Sequence, residues 1–341
     1  MNKLFAFLPL SFVLIFSLFS CSKDDDNDNV KEKVAVMLPS ATITPRWADD
    51  AAYLKNALEF YGYEVVLYTV ENTAEGAVVQ VEQLREAIAA GISHFVITAI
   101  DYSVINESGL FEANPKCDFI CHDRIIYDNA GVDFFSSCDQ SKIGLMQAQF
   151  LLQNLRASGK GSMTIELFAG PSSDGNALLY YEGAYELLQP YIDNGSLIIK
   201  SGKKTYNEVA LSSWTTEAAE SEMASRLLSY EAGEAPDMVL AANDNTAEGI
   251  ISAIIDHGFD GQFPVITGQD NNTTARQNIA NGYQGMTINK ELEEMAYNTA
   301  MIVSSFVSGN PAKSLNIVNN GVKEVPTIYS SLTLVTYDNL E

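Results

Sequence analysis

From Lys33 onward, short and nearly all-apolar runs alternate with longer stretches in which apolar residues recur every three or four positions. The short runs are "VAVMLP" (34–39), "EVVLYTV" (64–70), "HFVITAI" (94–100), "DFICHD" (118–123) and "VDFFSS" (132–137), followed by "SMTIELFAG" (162–170), "SLIIKSG" (196–202), "DMVLAAN" (237–243) and "FPVITGQ" (263–269). Several are apolar on both faces, as strands buried in a parallel sheet are. Between them the helical period predicts helices at 48–62, where Ala51, Leu54, Leu58 and Tyr61 share a face, and at 76–90, 140–158, 177–192, 216–231, 245–258, 272–281 and 291–309. Strands alternating with helices predict an α/β fold built on parallel sheets. Nine strands without a linker are many for one sheet, so the pattern favours two doubly wound lobes sharing a cleft.

In open α/β sheets, ligands meet the loops beyond the carboxyl ends of the strands. Those ends read "SATITPRW", "AIDYS", "CHDRII", "AGPSSDGN", "ANDN" and "GQDNN", polar tips on apolar strands. Caps and turns also favour Asp and Asn. Asp244 reads as the N-cap of helix 245–258, and Asn271 and Asn272 as the start of the next helix. Six polar tips directed at one cleft are harder to explain by capping alone. One tip holds "PRWADD", with Trp47, one of only two tryptophans, beside Arg46 where a strand hands over to a helix. Trp47 is either the first core residue of that helix or an aromatic wall of a site.

The first twenty residues differ from the rest. Lys3 precedes the apolar run "LFAFLPLSFVLIFSLFS", a signal-peptide pattern with a single-pass anchor as the alternative. "LFSC", ending at Cys21, resembles the bacterial lipobox, whose cysteine becomes the lipidated first residue. Residues 21–32 begin "CSKDDDNDNV", an acidic flexible tether. Acidic runs of this kind resemble a surface-export signal of some Gram-negative lipoproteins; a plain spacer explains the run equally well. Removing residues 1–20 takes one lysine and no acid, moving the formal charge from -24 to -25. Such acidity disfavours nucleic acid as a partner. Cys117 and Cys121 in "CDFIC" would lie roughly 13 Å apart along a strand, too far for a disulfide. Buried thiols are the expectation for them, with a pair involving Cys138 as the alternative. CxxxC alone is no zinc signature, and no metal or cofactor is expected. The chain lacks GxSxG, HExxH, GxxxxGK[ST] and GxGxxG at a strand end, and His94, His122 and His257 share no ligand spacing. His122, beside the tip acid Asp123, reads as a core residue or as one that orients that tip. A binding module therefore leads, with a secreted sugar-modifying or sugar-cleaving enzyme as the alternative.

"ANDNTAEGIISAI", "ITGQDN", "MTINKELEEMA", "NNGVKEVPT" and the long stretch "IELFAGPSSDGNALLYYEGAYELLQPYIDNGSLIIKSG" resemble the type I periplasmic sugar-binding proteins, in particular the xylose-binding and multiple-sugar-binding group, across 33–339. That family reads Asn-Asn-Ala where this chain has Gly175-Asn176-Ala177. The resemblance implies two lobes joined by three crossings, at 33–126 plus 271–315 and 127–270 plus 316–341. It also implies a ligand set of Arg46, Trp47, Asp101, Asp123, Arg124, Asn176, Trp214, Asn243, Asp270 and Lys290. Trp47 and Trp214 would stack on the apolar face of a pyranose, and the polar groups would read its hydroxyl rim. The implied function is hinge closure on a neutral monosaccharide such as xylose, glucose or galactose. The expected state is a monomer, lipid-anchored in the cell envelope, delivering to an ABC permease or a membrane sensor.

Overall fold

The computed structural model describes residues 31–314 and 316–340; the expected signal peptide, Cys21 and most of the expected tether lie outside the described residues. In chain order the first elements are β1 (Lys33–Pro39), α1 (Arg46–Phe60), β2 (Glu64–Val70), α2 (Ala74–Ala89), β3 (His94–Ile97), α3 (Tyr102–Glu107), α4 (Leu110–Ala113), β4 (Asp118–His122) and β5 (Phe134–Cys138). The chain then builds α5 (Gln140–Ser158), β6 (Met163–Leu167), α6 (Gly175–Asp193), β7 (Leu197–Ile198), α7 (Tyr206–Val209), α8 (Thr216–Leu227), β8 (Met238–Leu240), α9 (Asp244–Asp256), β9 (Val265–Ile266), α10 (Thr273–Ala280) and β10 (Met286–Lys290). It ends with α11 (Leu292–Val307), β11 (Asn316–Asn319), β12 (Glu324–Ser330) and β13 (Leu332–Thr336).

The first lobe is a seven-stranded sheet in the order β11-β12-β5-β4-β3-β1-β2, parallel except for β11. Successive side chains of a strand leave opposite faces, so β1 supplies two cores. Val34, Val36 and Leu38 pack under Leu54 and Leu58 of α1 and Ala296, Ala300 and Val303 of α11. Ala35 and Met37 pack on the other face under Val81 and Leu84 of α2, with Phe95, Phe111 and Phe119. This double burial is why the strand has no polar face. The second lobe is a four-stranded sheet, β7-β6-β8-β9. Its faces are covered by α5 with α6 through Ile143, Leu151, Tyr180 and Leu188, and by α8 with α9 through Met223, Leu227, Ile250 and Ile254. The antiparallel pair β10–β13 continues it, because Gly285 N–H donates to Ile266 O at 2.8 Å and Asp270 N–H to Ile288 O at 2.9 Å.

Strand pairing corrects the expected lobe boundaries. β5 pairs with β4 and β12 with β5, so residues up to Cys138 and residues 316–330 belong to the first sheet. β10 pairs with β13, which puts 271–290 in the second lobe. The three crossings therefore fall between Cys138 and Gln140, between Lys290 and Leu292, and between Ser330 and Leu332. Neither the stretch 127–133 nor the late strands "NIVN" and "EVPTIYS" carry a local mark of this membership, because pairing between distant strands leaves no local signal. The predicted strand 196–202 shortens to two residues, since the chain turns at Gly202 (φ 74°). Helix 140–158 is as expected, held by Asp139 accepting from Lys142 N–H at 3.1 Å and stopped at left-handed Gly159.

Candidate functional site

The tips of both sheets meet over a small cavity of about 40 Å³. Nine of the ten expected residues line it: Arg46, Trp47, Asp123, Arg124, Asn176, Trp214, Asn243, Asp270 and Lys290. Arg46 opens α1 at the cleft, and its guanidinium meets carboxylates of both lobes. It touches Asp123 Oδ2 at 2.5 Å, Asp50 Oδ2 at 3.6 Å and Asp270 Oδ1 at 3.8 Å. Lys290, at the end of β10, reaches Asp270 Oδ1 at 3.0 Å.

These charges set each other's ionisation. Burial alone would raise the Asp123 carboxyl, but Arg46, Lys290 and Arg124 hold it far below the usual carboxylate range. Burial likewise opposes ionisation of Asp270, and Lys290 with Arg46 outweighs it. Arg46 is desolvated too, yet Asp123, Asp50 and Asp270 keep it firmly protonated. Asp123 (φ 63°) and Asp270 (φ 98°) both sit on left-handed backbone, a conformation rare outside glycine that clusters at functional sites.

The lobes touch through the same residues. Asn176 Nδ2 donates to Asp123 O at 2.6 Å, and Asn245 Nδ2 to Ile43 O at 2.9 Å. Arg124 of the first lobe meets Asp174 of the second at 2.8 Å and also donates to Ala99 O and Asn72 Oδ1. Trp214 Nε1 donates to the same Asp174 oxygen at 3.1 Å. The departure at Gly175 now has a cause. A Cβ there would stand 2.4 Å from Ile125 O across the cleft, so a side chain at 175 opposes the approach of the lobes.

Trp47 is only 3% exposed, with Arg46 4.1 Å and Arg124 5.4 Å from its ring centroid. The indole therefore steadies two guanidiniums by cation–π contact while lining the cavity. Asp101 stands apart from the cavity, contrary to expectation. As N-cap of α3 its Oδ1 accepts from Ser103 N–H at 2.8 Å and Ser103 Oγ at 2.7 Å, and it lines a neighbouring cavity. The N-cap of α9 is Asn243, not Asp244: Asn243 Oδ1 accepts from Thr246 N–H at 2.9 Å. Asp244 is buried behind it, facing Thr287 Oγ1, Gln284 Nε2 and Asn272 N–H. Burial, reinforced by Asp270, pushes its pKa up to about 8. Asn272 caps α10 as expected. His122 is a core residue, 2.8 Å from Thr299 Oγ1 and 3.6 Å from Asp50. Among the described residues Cys117, Cys121 and Cys138 are unpaired.

The sequence reading did not single out Asp174, Gln140, Tyr180 or Gln269, which also line the cavity. Asp174 was discoverable as the acid of the "SSDGN" tip; Tyr180 was not, because it sits mid-helix with the spacing of a core residue. Asn176 Oδ1 and Gln269 Oε1 are buried without a hydrogen-bond partner among the described residues. Buried polar atoms are nearly always paired, so these two point to a polar ligand.

Two doubly wound lobes, three strand crossings and a polar cavity at the facing strand tips define a hinged two-lobe binding protein. The chain belongs to the periplasmic binding protein family, whose domain matches residues 34–311. It is 30% identical over 317 residues to the multiple sugar-binding periplasmic receptor ChvE of Rhizobium radiobacter, covering 91% of this chain and 88% of the relative. It is 28% identical to the D-xylose-binding periplasmic protein of Escherichia coli, covering 83% and 80%. An ABC transporter solute-binding protein from Clostridium phytofermentans, solved with bound β-D-glucose, superposes with a TM-score of 0.84 at 29% identity over 90% of this chain and 94% of that one.

Proposed function

We propose that the protein is an extracytoplasmic receptor that binds a neutral monosaccharide between its lobes, without turnover. The observation that carries this reading is the cavity wall itself: paired charges, two indoles, and unpaired buried oxygens on Asn176 and Gln269. A pyranose presents an apolar C–H face and a rim of hydroxyls that both donate and accept, which matches such a wall. The cavity of about 40 Å³ is far smaller than the ~150 Å³ that holds a benzene. A sugar therefore enters as the lobes part, and gains contacts to both as they close. The relatives, named as sugar-binding receptors or solved with glucose, support the same class, and none of them is named as an enzyme.

Incubation with a panel of D-xylose, D-glucose and D-galactose, followed by melting and recovery of the sugars, tests this. Unaltered sugar with a raised melting temperature is expected; chemically altered sugar would establish the enzyme alternative. Delivery to an ABC permease or to a membrane sensor belongs to the same reading. So does a lipid anchor at Cys21, suggested by "LFSC" and the polar tether. The Cys21→Ala variant is expected to leave the membrane fraction; full retention there would refute lipidation.

A further inference from the structure

Beside the central cavity lies a second, larger one of about 390 Å³, also enclosed by both lobes. The first lobe contributes Asn72 and Asp101, and the second contributes Ser212, Ser213 and Thr215. Arg124 and Trp214 line both cavities, so these two side chains are the partition between them. The partition is built across the cleft. Asp174 holds Arg124 from one side at 2.8 Å and Trp214 from the other at 3.1 Å. Because its members come from different lobes, it opens whenever the lobes part, and a ligand lying between Arg124 and Trp214 would take its place.

The chemistry of the outer cavity matches that of the inner one in kind. It has an indole wall, an amide, hydroxyls and one carboxylate. Among the described residues its only cation, Arg124, is already bound to Asp174, Ala99 O and Asn72. A third cavity, of about 330 Å³ near the crossing at Lys290, differs in kind. Its wall includes Asp49, Glu291 and Glu293 as well as Arg46 and Lys290, and among the described residues Tyr53 is its single aromatic ring, so it offers a neutral sugar no indole face.

We propose that the outer cavity is a second sugar subsite, so that a disaccharide or short glycoside of the sugar held in the central cavity also binds, and more tightly than the single unit. One unit occupies the central cavity and the next lies along Trp214 between Asn72, Asp101 and Ser212. This rests on the sugar-receptor reading above. It also gives Asp101 a role at the second ring rather than the first. The ring face would meet the indole, and the rim hydroxyls would meet the Asp101 carboxylate and the serines.

Isothermal titration of the full chain with D-glucose and cellobiose, D-xylose and xylobiose, and D-galactose and lactose tests the proposal. In at least one pair the disaccharide is expected to bind about tenfold tighter or more, since the added ring brings new contacts without a second association cost. Ser212 is exposed and its side chain makes no hydrogen bond among the described residues, so Ser212→Trp fills the outer cavity without breaking a contact. That variant is expected to weaken disaccharide binding about tenfold or more while monosaccharide binding changes less than about twofold. Monosaccharides that bind as tightly as all their disaccharides, or a variant that weakens both equally, overturn the subsite and leave the receptor reading standing. Absence of binding by every sugar overturns the receptor reading and the subsite with it. Should the variant fail to fold, the comparison within the parent protein still decides.

Discussion

Gly170, three residues beyond β6, lies against the face of Trp214. A Cβ at this position would stand 2.2 Å from Cη2, 2.3 Å from Cζ2 and 3.0 Å from Cζ3 of the indole. Carbon atoms rest about 3.5–4.0 Å apart, so Gly170→Ala must push the ring back by about 1.3 Å or more. Trp214 Nε1 donates to Asp174 Oδ2 at 3.1 Å, and a retreat of that size carries it beyond hydrogen-bonding reach. A hydrogen bond to a charged group contributes about 1.5–3 kcal/mol. If sugar binding needs the indole where it now stands, the variant loses about ten- to hundredfold in affinity. The assay is titration of parent and variant with D-glucose and D-xylose, alongside melting of the free proteins. The expected result is the affinity loss together with a melting temperature of the free variant lower by about 3 °C or more, since Trp214 packs against the second-lobe core and its bond to Asp174 is made before any sugar binds. A dissociation constant within about twofold of the parent for every panel sugar would refute the assignment of Trp214 to the site.

Trp47→Ala is expected to cost more than about 1.5 kcal/mol of sugar binding by titration, because it removes a cavity wall and releases Arg46 and Arg124; unchanged affinity would leave Trp47 a packing residue only. Asp244 holds its proton up to about pH 8 in the fold but releases it near 3.9 when unfolded. The stability it contributes is therefore complete below about pH 4 and is lost as pH rises through 8. Urea unfolding is expected to show about 2–4 kcal/mol less stability at pH 8 than at pH 5, and Asp244→Asn should flatten that difference; a parent profile that is already flat would refute the burial argument. Affinity for the preferred sugar should change less than about twofold between dilute and physiological salt, as a neutral ligand carries no charge to screen; a steep dependence would point to an acidic sugar.

The repeated units of this fold were legible because each is local. Double burial of β1 leaves an apolar run, and α5 reads as a helix of the right length because Asp139 starts it and Gly159 ends it. The strand tips also identified most of the cavity wall, since each tip carries polar side chains where the strand ends and the cleft begins. What failed depends on long-range pairing or on competition for a single side chain. The membership of 316–330 in the first sheet rests on β12 lying beside β5, almost two hundred residues earlier in the chain. Asp101 and Asp244 were misread in opposite directions. Asp101 was given to the ligand although it caps α3, and Asp244 was given to a cap although it is buried against Thr287 and Gln284. Nothing in "AIDYS" or "ANDN" tells which of these fates an aspartate meets.

The charge balance of the cavity bears most directly on ligand class. Arg46, Arg124 and Lys290 are its cations, and Asp123, Asp174 and Asp270 are their partners. The family resemblance implies Asp101 in the ligand set; Asp174 lines the cavity in its place, so the wall holds three cations and three carboxylates. Asp50 adds a further negative charge one layer behind, 3.6 Å from Arg46. Each cation is thus committed to a carboxylate already within the protein. A phosphorylated or sulfated sugar would have to displace a carboxylate from a buried guanidinium or ammonium, leaving that carboxylate unpaired at a cost of several kcal/mol. A hydroxyl needs no displacement, because it can donate to a carboxylate oxygen and accept from an arginine N–H in the same pair. The network that holds the lobes together is therefore expected to favour neutral, hydroxyl-rich ligands even though six of the side chains lining the cavity are charged.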